Sequence, residues 1–248
     1  MGQEIRAAVG QHDELTVAGG LEAPRHPDIG CEIENGVRVT DDAKNAFEGS
    51  DVAIDFSIPK ATLANLRVAA DLGVAYVTGT TGFRPEELEQ IAGYAERIPL
   101  LHAPNFSVSV NVLAWLAREA AAKLGPAYDA ELFELHHSAK RDAPSGTALR
   151  LAEAIAEGQA VDLTSKLVLE RAGETGARPE GAIGVQTLRG GDNPGEHTVM
   201  FIGTGERLEL THRSATRAHF AQGAVRAAAW LVGKPAGAYR IEQVLELD

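Results

Sequence analysis

Between Asp51 and Ser107 the sequence changes its hydrophobic period again and again. "DVAIDFS" (Asp51–Ser57), "VAYVTGTTG" (Val74–Gly82) and "IPLLHAPNFS" (Ile98–Ser107) are short apolar runs that end in small or polar residues, the pattern of buried strands. Between them lie "PKATLANLRVAADLG" (Pro59–Gly73) and "RPEELEQIAGYAER" (Arg84–Arg97), apolar at helical spacing, each with a proline in its first turn. Strands that alternate with helices in this way build a parallel sheet covered by helices. Right-handed crossovers then bring successive strand ends to one edge. Upstream, "ELTVAGGLE" (Glu14–Glu22) is expected to add a further strand.

After Ser107 the pattern changes. A long helix is expected from Val108 to about Leu124, then a strand in "DAELFELHH", then a helix in "SGTALRLAEAIAEG" closed by Gly158. "GAIGVQTLRGG", "GEHTVMFIGTG" and "ERLELTHRS" are three more strands joined by short connections, which predicts an antiparallel or mixed sheet. The last helix, "RAHFAQGAVRAAAWLVGK", is expected to pack back on the first domain.

Composition removes several classes of function. The net charge is −12, with 35 acidic against 23 basic residues, which disfavours a nucleic-acid partner. The single cysteine, Cys31, cannot form an internal disulfide, and no spaced Cys/His set predicts a metal site. The opening "MGQEIRAAVGQHDEL" carries charges throughout and does not read as a secretory signal. The most apolar stretch, Val108–Leu124, is interrupted by Asn111, Arg118, Glu119 and Lys123, so no membrane span is expected. The expected location is the cytoplasm.

Two groups of residues point to chemistry. The strand exits "DFS", "GTTGF" (Gly79–Phe83) and "APNFS" (Ala103–Ser107) offer small residues and hydroxyls where open α/β sheets bind ligands, and together they favour a nucleotide cleft over three ordinary turns. Glu22, at the end of the first expected strand, is placed to accept hydrogen bonds from ribose hydroxyls. The second group is "ELFELHHSAKRDAPSGTAL" (Glu131–Leu149). Strand alternation puts Glu134, His136, Ser138 and Lys140 on one side and turns His137 to the other. An imidazole exchanges protons near neutral pH, and an ammonium holds an anion or donates a proton. Ser145 or Gly146 begins a helix whose free N–H groups form an anion site beside Lys140 and Arg141. A small acid, with one or two carboxylates, is the expected ligand.

"ELHHSAKRDAPSGTA" resembles the signature of the 4-hydroxy-tetrahydrodipicolinate (dihydrodipicolinate) reductase family. The resemblance extends through "DFSIP", "GTTGF", "APNFSVSVNV", "GEHTVMF", "ERLELTHRS" and "FAQGAVRAAAWL", essentially the whole chain. It implies an α/β fold: a Rossmann-like parallel-sheet nucleotide domain, residues 1–107 completed by 218–248, plus an α+β substrate-binding and oligomerisation domain with a mixed sheet over 108–217. It also implies NADH or NADPH as cofactor, a small dicarboxylate substrate and a homotetramer. By matching positions, His136 is the proton donor/acceptor and Lys140 the proton-donating lysine. His137, Gly146 and Thr147 are substrate binders, with Ser145 at the same helix start. Glu22, Gly79, Thr80, Thr81, Ala103, Pro104, Asn105 and Phe106 are cofactor contacts, and Arg217 and Phe220 belong to a segment reaching the nicotinamide. Ala23 stands where the family often has an arginine for the 2′-phosphate of NADPH, which favours NADH.

The sequence departs from the family's pattern at its start. The family opens with a strand and a Gly-rich turn, whereas "MGQEIRAAVG" resembles the end of that turn and the following helix, with Gly2 matching the last loop glycine. On this reading the first strand and most of the phosphate loop are missing, and weak cofactor binding is expected. Two alternatives stay open: a non-catalytic dicarboxylate-binding relative, and an imine reductase for another cyclic acid.

Overall fold

The computed structural model describes residues 1–247. Its first stretch opens with α1 (Gly2–Val9), then β1 (Gly20–Leu21), β2 (Glu32–Glu34), β3 (Val37–Thr40) and α2 (Ala43–Phe47). The alternating elements follow: β4 (Val52–Asp55), α3 (Pro59–Leu72), β5 (Ala75–Thr78), α4 (Pro85–Tyr94) and β6 (Pro99–His102). Pro59 and Pro85 both stand in a first helical turn, where a missing N–H costs nothing. β4, β5 and β6 are parallel neighbours, with Ile54 opposite Val77 and Val77 opposite Leu101. The strand expected over Glu14–Glu22 is a correction: only Gly20 and Leu21 pair, with Val39 and Thr40 of β3. Leu15 and Val17 find apolar partners instead of a ladder, packing beside Ala8, Val9, Ala221 and Val225.

The chain then builds a second compact unit, Val108–Arg217. It contains α5 (Val108–Leu124), β7 (Asp129–His136), α6 (Gly146–Gln159), the short α7 (Leu163–Lys166), β8 (Leu167–Val168), β9 (Ile183–Arg189), β10 (Glu196–Ile202) and β11 (Arg207–Arg213). The sheet is mixed, in the order β11-β10-β7-β9-β8. β7 is central, antiparallel to β10 and parallel to β9, so the consecutive strands β9 and β10 are separated by it. Leu132, Val185, Val199 and Leu210 stand level across four strands, on the face that α5 and α6 cover. Two residues further along the same face the row changes to Glu134, Thr187, His197 and His212. A period of two carries the apolar core directly into a polar end.

The remaining segment returns to the first unit as α8 (Ala218–Leu231), β12 (Gly237–Tyr239) and α9 (Ile241–Leu245). β12 adds to β6 in parallel, completing a four-stranded sheet β12-β6-β5-β4. α8 buries Ala224, Ala227, Ala228 and Leu231 against Val77, Leu101 and Phe106. Neither β12 nor α9 was expected from the sequence, because three residues of strand and five of helix carry no readable period. Among the described residues no helix is long and apolar enough to cross a membrane.

One expected boundary is also corrected. α6 does not stop at Gly158 but runs to Gln159, with Ala160 taking the left-handed cap. Gly158 is needed for packing: a Cβ there would strike the Arg118 carbonyl and the Ala121 side chain of α5. Gly158→Ala should therefore destabilise the protein by about 1–3 kcal/mol, the usual cost of overpacking. Gly93→Ala, in α4 with nothing within 4 Å of the new methyl, should stabilise it by up to about 1 kcal/mol. Urea-melt midpoints that move in opposite directions for the two variants are the expected result.

Candidate active site

The polar end of the second unit's sheet is organised by one carboxylate. Glu134 is fully buried, and its Oε1 accepts from Arg189 Nη1 (3.0 Å), Thr187 Oγ1 (3.1 Å) and the Ser145 backbone N–H (3.2 Å). Its Oε2 faces His136 Nδ1 in a short hydrogen bond. An ionised carboxylate only accepts, so this contact places the imidazole proton on Nδ1 and leaves Nε2 unprotonated in the neutral ring. Burial pushes the Glu134 pKa up, but Arg189, His136 and Thr187 outweigh it and hold the group below the ordinary carboxylate range. For His136, burial lowers the pKa more than Glu134 raises it, and Lys140 and Arg189 push the same way as burial.

His197 packs edge-on against His136, with ring centroids 5.2 Å apart. Its Nε2 meets Ser145 Oγ at 3.2 Å, while its buried Nδ1 has no hydrogen-bond partner. Burial, and then the neighbouring His136, lower its pKa to about 3. Glu134, His136 and His197 are close enough together to hold a metal ion. Their hydrogen bonds, however, already use both Glu134 oxygens, and the adjoining Arg189 and Lys140 charges oppose a cation. The donor set fits a proton-exchanging site better than a metal centre.

The chain leaving β7 carries the rest of the expected motif. His137 is half-buried, its N–H donating to the Asn193 carbonyl (2.8 Å). Lys140 Nζ lies 2.9 Å from Asp142 Oδ2, and this partnership holds the exposed Asp142 below the ordinary carboxylate range. Ser145 caps α6, its Oγ accepting from the Ala148 N–H (3.1 Å). Its hydroxyl and N–H are thus turned to the interior, and the exposed start of α6 is Gly146 followed by half-buried Thr147. The structure therefore brings His136, Lys140 and the α6 start to one end of the sheet. Sequence reasoning overlooked Arg189, Thr187 and His197. Strand alternation on β9 and β10 was the available signal, but it works only once the register is known.

In the first unit, a second polar web ties the strand exits together. Asp55 Oδ1 accepts the Ser57 N–H (2.8 Å), and its Oδ2 accepts the buried Tyr76 hydroxyl (2.6 Å). Burial, then the Asp55 charge, raise the Tyr76 pKa well above its usual value. Thr62 donates to Thr80 Oγ1 (2.8 Å), which also accepts the Ser57 N–H (3.1 Å). The Gly79 N–H reaches the Asp55 carbonyl (2.9 Å) and the Ala103 N–H the Thr78 carbonyl (3.1 Å). Thr80, Ala103 and Phe106 are buried, Asn105 is half-buried, and Thr81 and Pro104 are exposed. Glu22 is exposed just beyond β1, one carboxylate oxygen held by the Ala23 N–H (2.8 Å). Small residues, hydroxyls and one exposed acid at the carboxyl ends of parallel strands suit a dinucleotide. Half-buried Phe220 belongs to this unit, whereas exposed Arg217 is the last residue of the other.

Two family models match, one described as dihydrodipicolinate reductase, N-terminus, over residues 1–106 and one as dihydrodipicolinate reductase, C-terminus, over 109–245. The chain is 50% identical over 252 residues to a 4-hydroxy-tetrahydrodipicolinate reductase of Anaeromyxobacter sp. (strain Fw109-5), covering 100% of this chain and 94% of that protein. It is 47% identical over 255 residues to the enzyme of the same name from Desulfotalea psychrophila, covering 100% and 95%. A solved dipicolinate-bound dihydrodipicolinate reductase from Paenisporosarcina sp. TG-14 superposes with a TM-score of 0.78 at 26% identity, covering 96% of this chain and 92% of that one.

The depressed pKa of His197 has a consequence for stability. Below pH 6.5 the unfolded chain protonates this imidazole, and the folded chain does not until about pH 3. Stability therefore falls as the pH drops through that window, by about 1.4 kcal/mol per unit. His197→Gln should lose about 2 kcal/mol less than the wild type between pH 6.5 and 5. Urea melts at the two pH values read the difference directly, whatever the variant's stability at neutral pH.

Proposed function

The chain belongs to the dihydrodipicolinate reductase family, and from that premise we propose how its own residues serve the reaction. It reduces 4-hydroxy-tetrahydrodipicolinate to tetrahydrodipicolinate with NADH or NADPH and releases water, in lysine and diaminopimelate biosynthesis. The observation that carries the residue assignment is a buried imidazole, held by a carboxylate, at the end of β7 and followed by Lys140 and the open start of α6.

His136 is the proton donor and acceptor, working through Nε2, and Lys140 donates a proton from its ammonium. Loss of water puts a proton on the departing oxygen and returns one from the neighbouring ring carbon, and reduction of the resulting acceptor by hydride takes up one further proton to balance the added charge. NAD(P)H, when bound, supplies the hydride. The start of α6, with Gly146 and Thr147, holds a substrate carboxylate at the positive end of the helix, and His137 flanks it. Ser145 serves this site by fixing the helix start. Glu22, Gly79–Thr81 and Ala103–Phe106 hold the nucleotide in residues 1–107, completed by the segment from Ala218 onward, and Arg217 and Phe220 serve the nicotinamide. The unit Val108–Arg217 is the substrate-binding and oligomerisation domain.

A homotetramer is part of this reading. The sheet face opposite α5 and α6 carries Phe133, Leu135 and Met200, with Leu188 and Ile202 exposed, apolar surface of the kind a further copy of the chain can bury. Light scattering at four times 26.2 kDa is the check. A cytoplasmic location accords with the exposed free thiol of Cys31.

The product of dihydrodipicolinate synthase, supplied with NADH or NADPH, is the test substrate. His136→Ala and Lys140→Ala should each lower kcat by roughly 10²–10⁴-fold with a small change in KM. Thr147→Ala should mainly raise KM. Near-wild-type kcat in both of the first two variants would sink the assignment.

The same assay addresses nucleotide choice. With Ala23 rather than an arginine directly after Glu22, the acid proposed to bind the ribose hydroxyls has no cation next to it in sequence, so kcat/KM should favour NADH. A large preference for NADPH would reject this, and Arg25→Ala would then show whether exposed Arg25 binds the 2′-phosphate.

A further inference from the structure

Accepting His136 as the proton carrier, we propose that Glu134 is a positioning residue that fixes the tautomer and orientation of this imidazole, with Arg189 in turn fixing Glu134. The proposal rests on that reading of His136 and extends it to residues two removes from the substrate.

The geometry leaves Glu134 little freedom. Rotating its carboxylate would forfeit three donors at Oε1, one each from β9's Arg189 and Thr187 and one from the α6 start at Ser145. Arg189 is itself tied down, Nη1 donating to the Leu188 carbonyl and Nη2 to the Asp142 carbonyl, both at 2.7 Å. The remaining oxygen, Oε2, is therefore presented to His136 Nδ1 in one direction only. His197 closes the flank of the ring. Gly195, just before β10, also borders the ring, and a Cβ there would come within 2.9 Å of His136 Nε2. The bare Gly195, at φ 151°, leaves no side chain to crowd the atom that must exchange the proton.

Glu134 also sets the charge balance. The titratable and charged groups facing His136 are Glu134 on its own strand, Arg189 on β9, His197 on β10 and Lys140 in the following turn. Arg189 and Lys140 oppose protonation of His136, and His197 stays neutral. Glu134 alone in this set favours the charged imidazolium that forms when the ring carries a proton to the substrate.

Glu134→Gln tests the idea with little change of shape. The amide oxygen can still accept from Arg189, Thr187 and Ser145, while the amide N–H would donate to Nδ1 and move the ring proton to Nε2. The expected result is a kcat lower by roughly 10²–10⁴-fold with KM little changed, and a His136 limb of the pH profile displaced to lower pH. Glu134→Asp, which keeps the charge, should recover part of the loss. Imidazole ¹⁵N spectra should show the Nδ1–H tautomer at His136 in the wild type and the Nε2–H tautomer in the glutamine variant.

A double variant separates positioning from mere structural support. Added to His136→Asn, Glu134→Gln should cost almost nothing more, because it acts through a ring no longer present. Wild-type kcat and pH profile in Glu134→Gln would overturn the proposal, as would an undiminished loss in the His136→Asn background. If the glutamine variant does not fold, the wild-type spectrum alone decides: an Nε2–H tautomer at His136 refutes the assignment. Near-wild-type kcat in His136→Asn is a different failure, since it removes the proton-carrier reading and leaves the tautomer result standing.

Discussion

A carboxylate with no solvent contact organises the polar end of the second unit's sheet. Taking an ion such as Glu134 out of water costs several kcal/mol, and only a full set of donors offsets it. The chain supplies that set from three places: β7 itself through His136, β9 through Arg189 and Thr187, and the start of α6 through Ser145, while the Asp142 carbonyl in the turn after β7 accepts from Arg189 and holds it in place. Each donor is useful only if its own element is in register, so the buried charge fixes the relative positions of strand, helix and turn. The cost of burial is thereby converted into a definite geometry around His136.

The register of the mixed sheet explains why this charge sits where it does. Along the helix-facing side, Leu132, Val185 and Val199 are level, and Glu134, Thr187 and His197 are level one step later. Nothing about the backbone changes between those rows; only the side chains do. The same arrangement recurs independently in the first unit, where the buried run of β5 ends in Thr78 with buried Thr80 just beyond it, and β4 ends in Asp55. In both units a continuous ladder carries the core to its edge, and the polar residues at that edge bind one another before they bind anything else.

The fold was largely readable from the sequence because its longer elements obey simple periods. Pro59–Leu72, Pro85–Tyr94 and Val108–Leu124 appear where apolar spacing and proline placed them. The failures have a common physical origin. Glu14–Glu22 has strand-like composition, yet only Gly20 and Leu21 have a neighbouring strand to bond, and composition does not reveal a partner. Gly158 resembles a helix stop, but its small size serves the contact with α5, a long-range fact. β12 and α9 are too short to show a period at all.

The candidate site was half readable for the same reason. His136, Lys140 and the α6 start lie within twelve consecutive residues, His136–Thr147, and local spacing was enough to group them. Arg189 and His197 are 55 and 63 positions from Glu134 in sequence, as far as any local pattern could be from showing them. They meet it because β7 pairs with β9 on one side and β10 on the other. A central strand with neighbours from distant sequence can hold a side chain from both flanks, and an edge strand offers only one. The placement of His136 at the end of central β7, rather than the presence of two adjacent histidines, is thus what gives the arrangement its definite geometry.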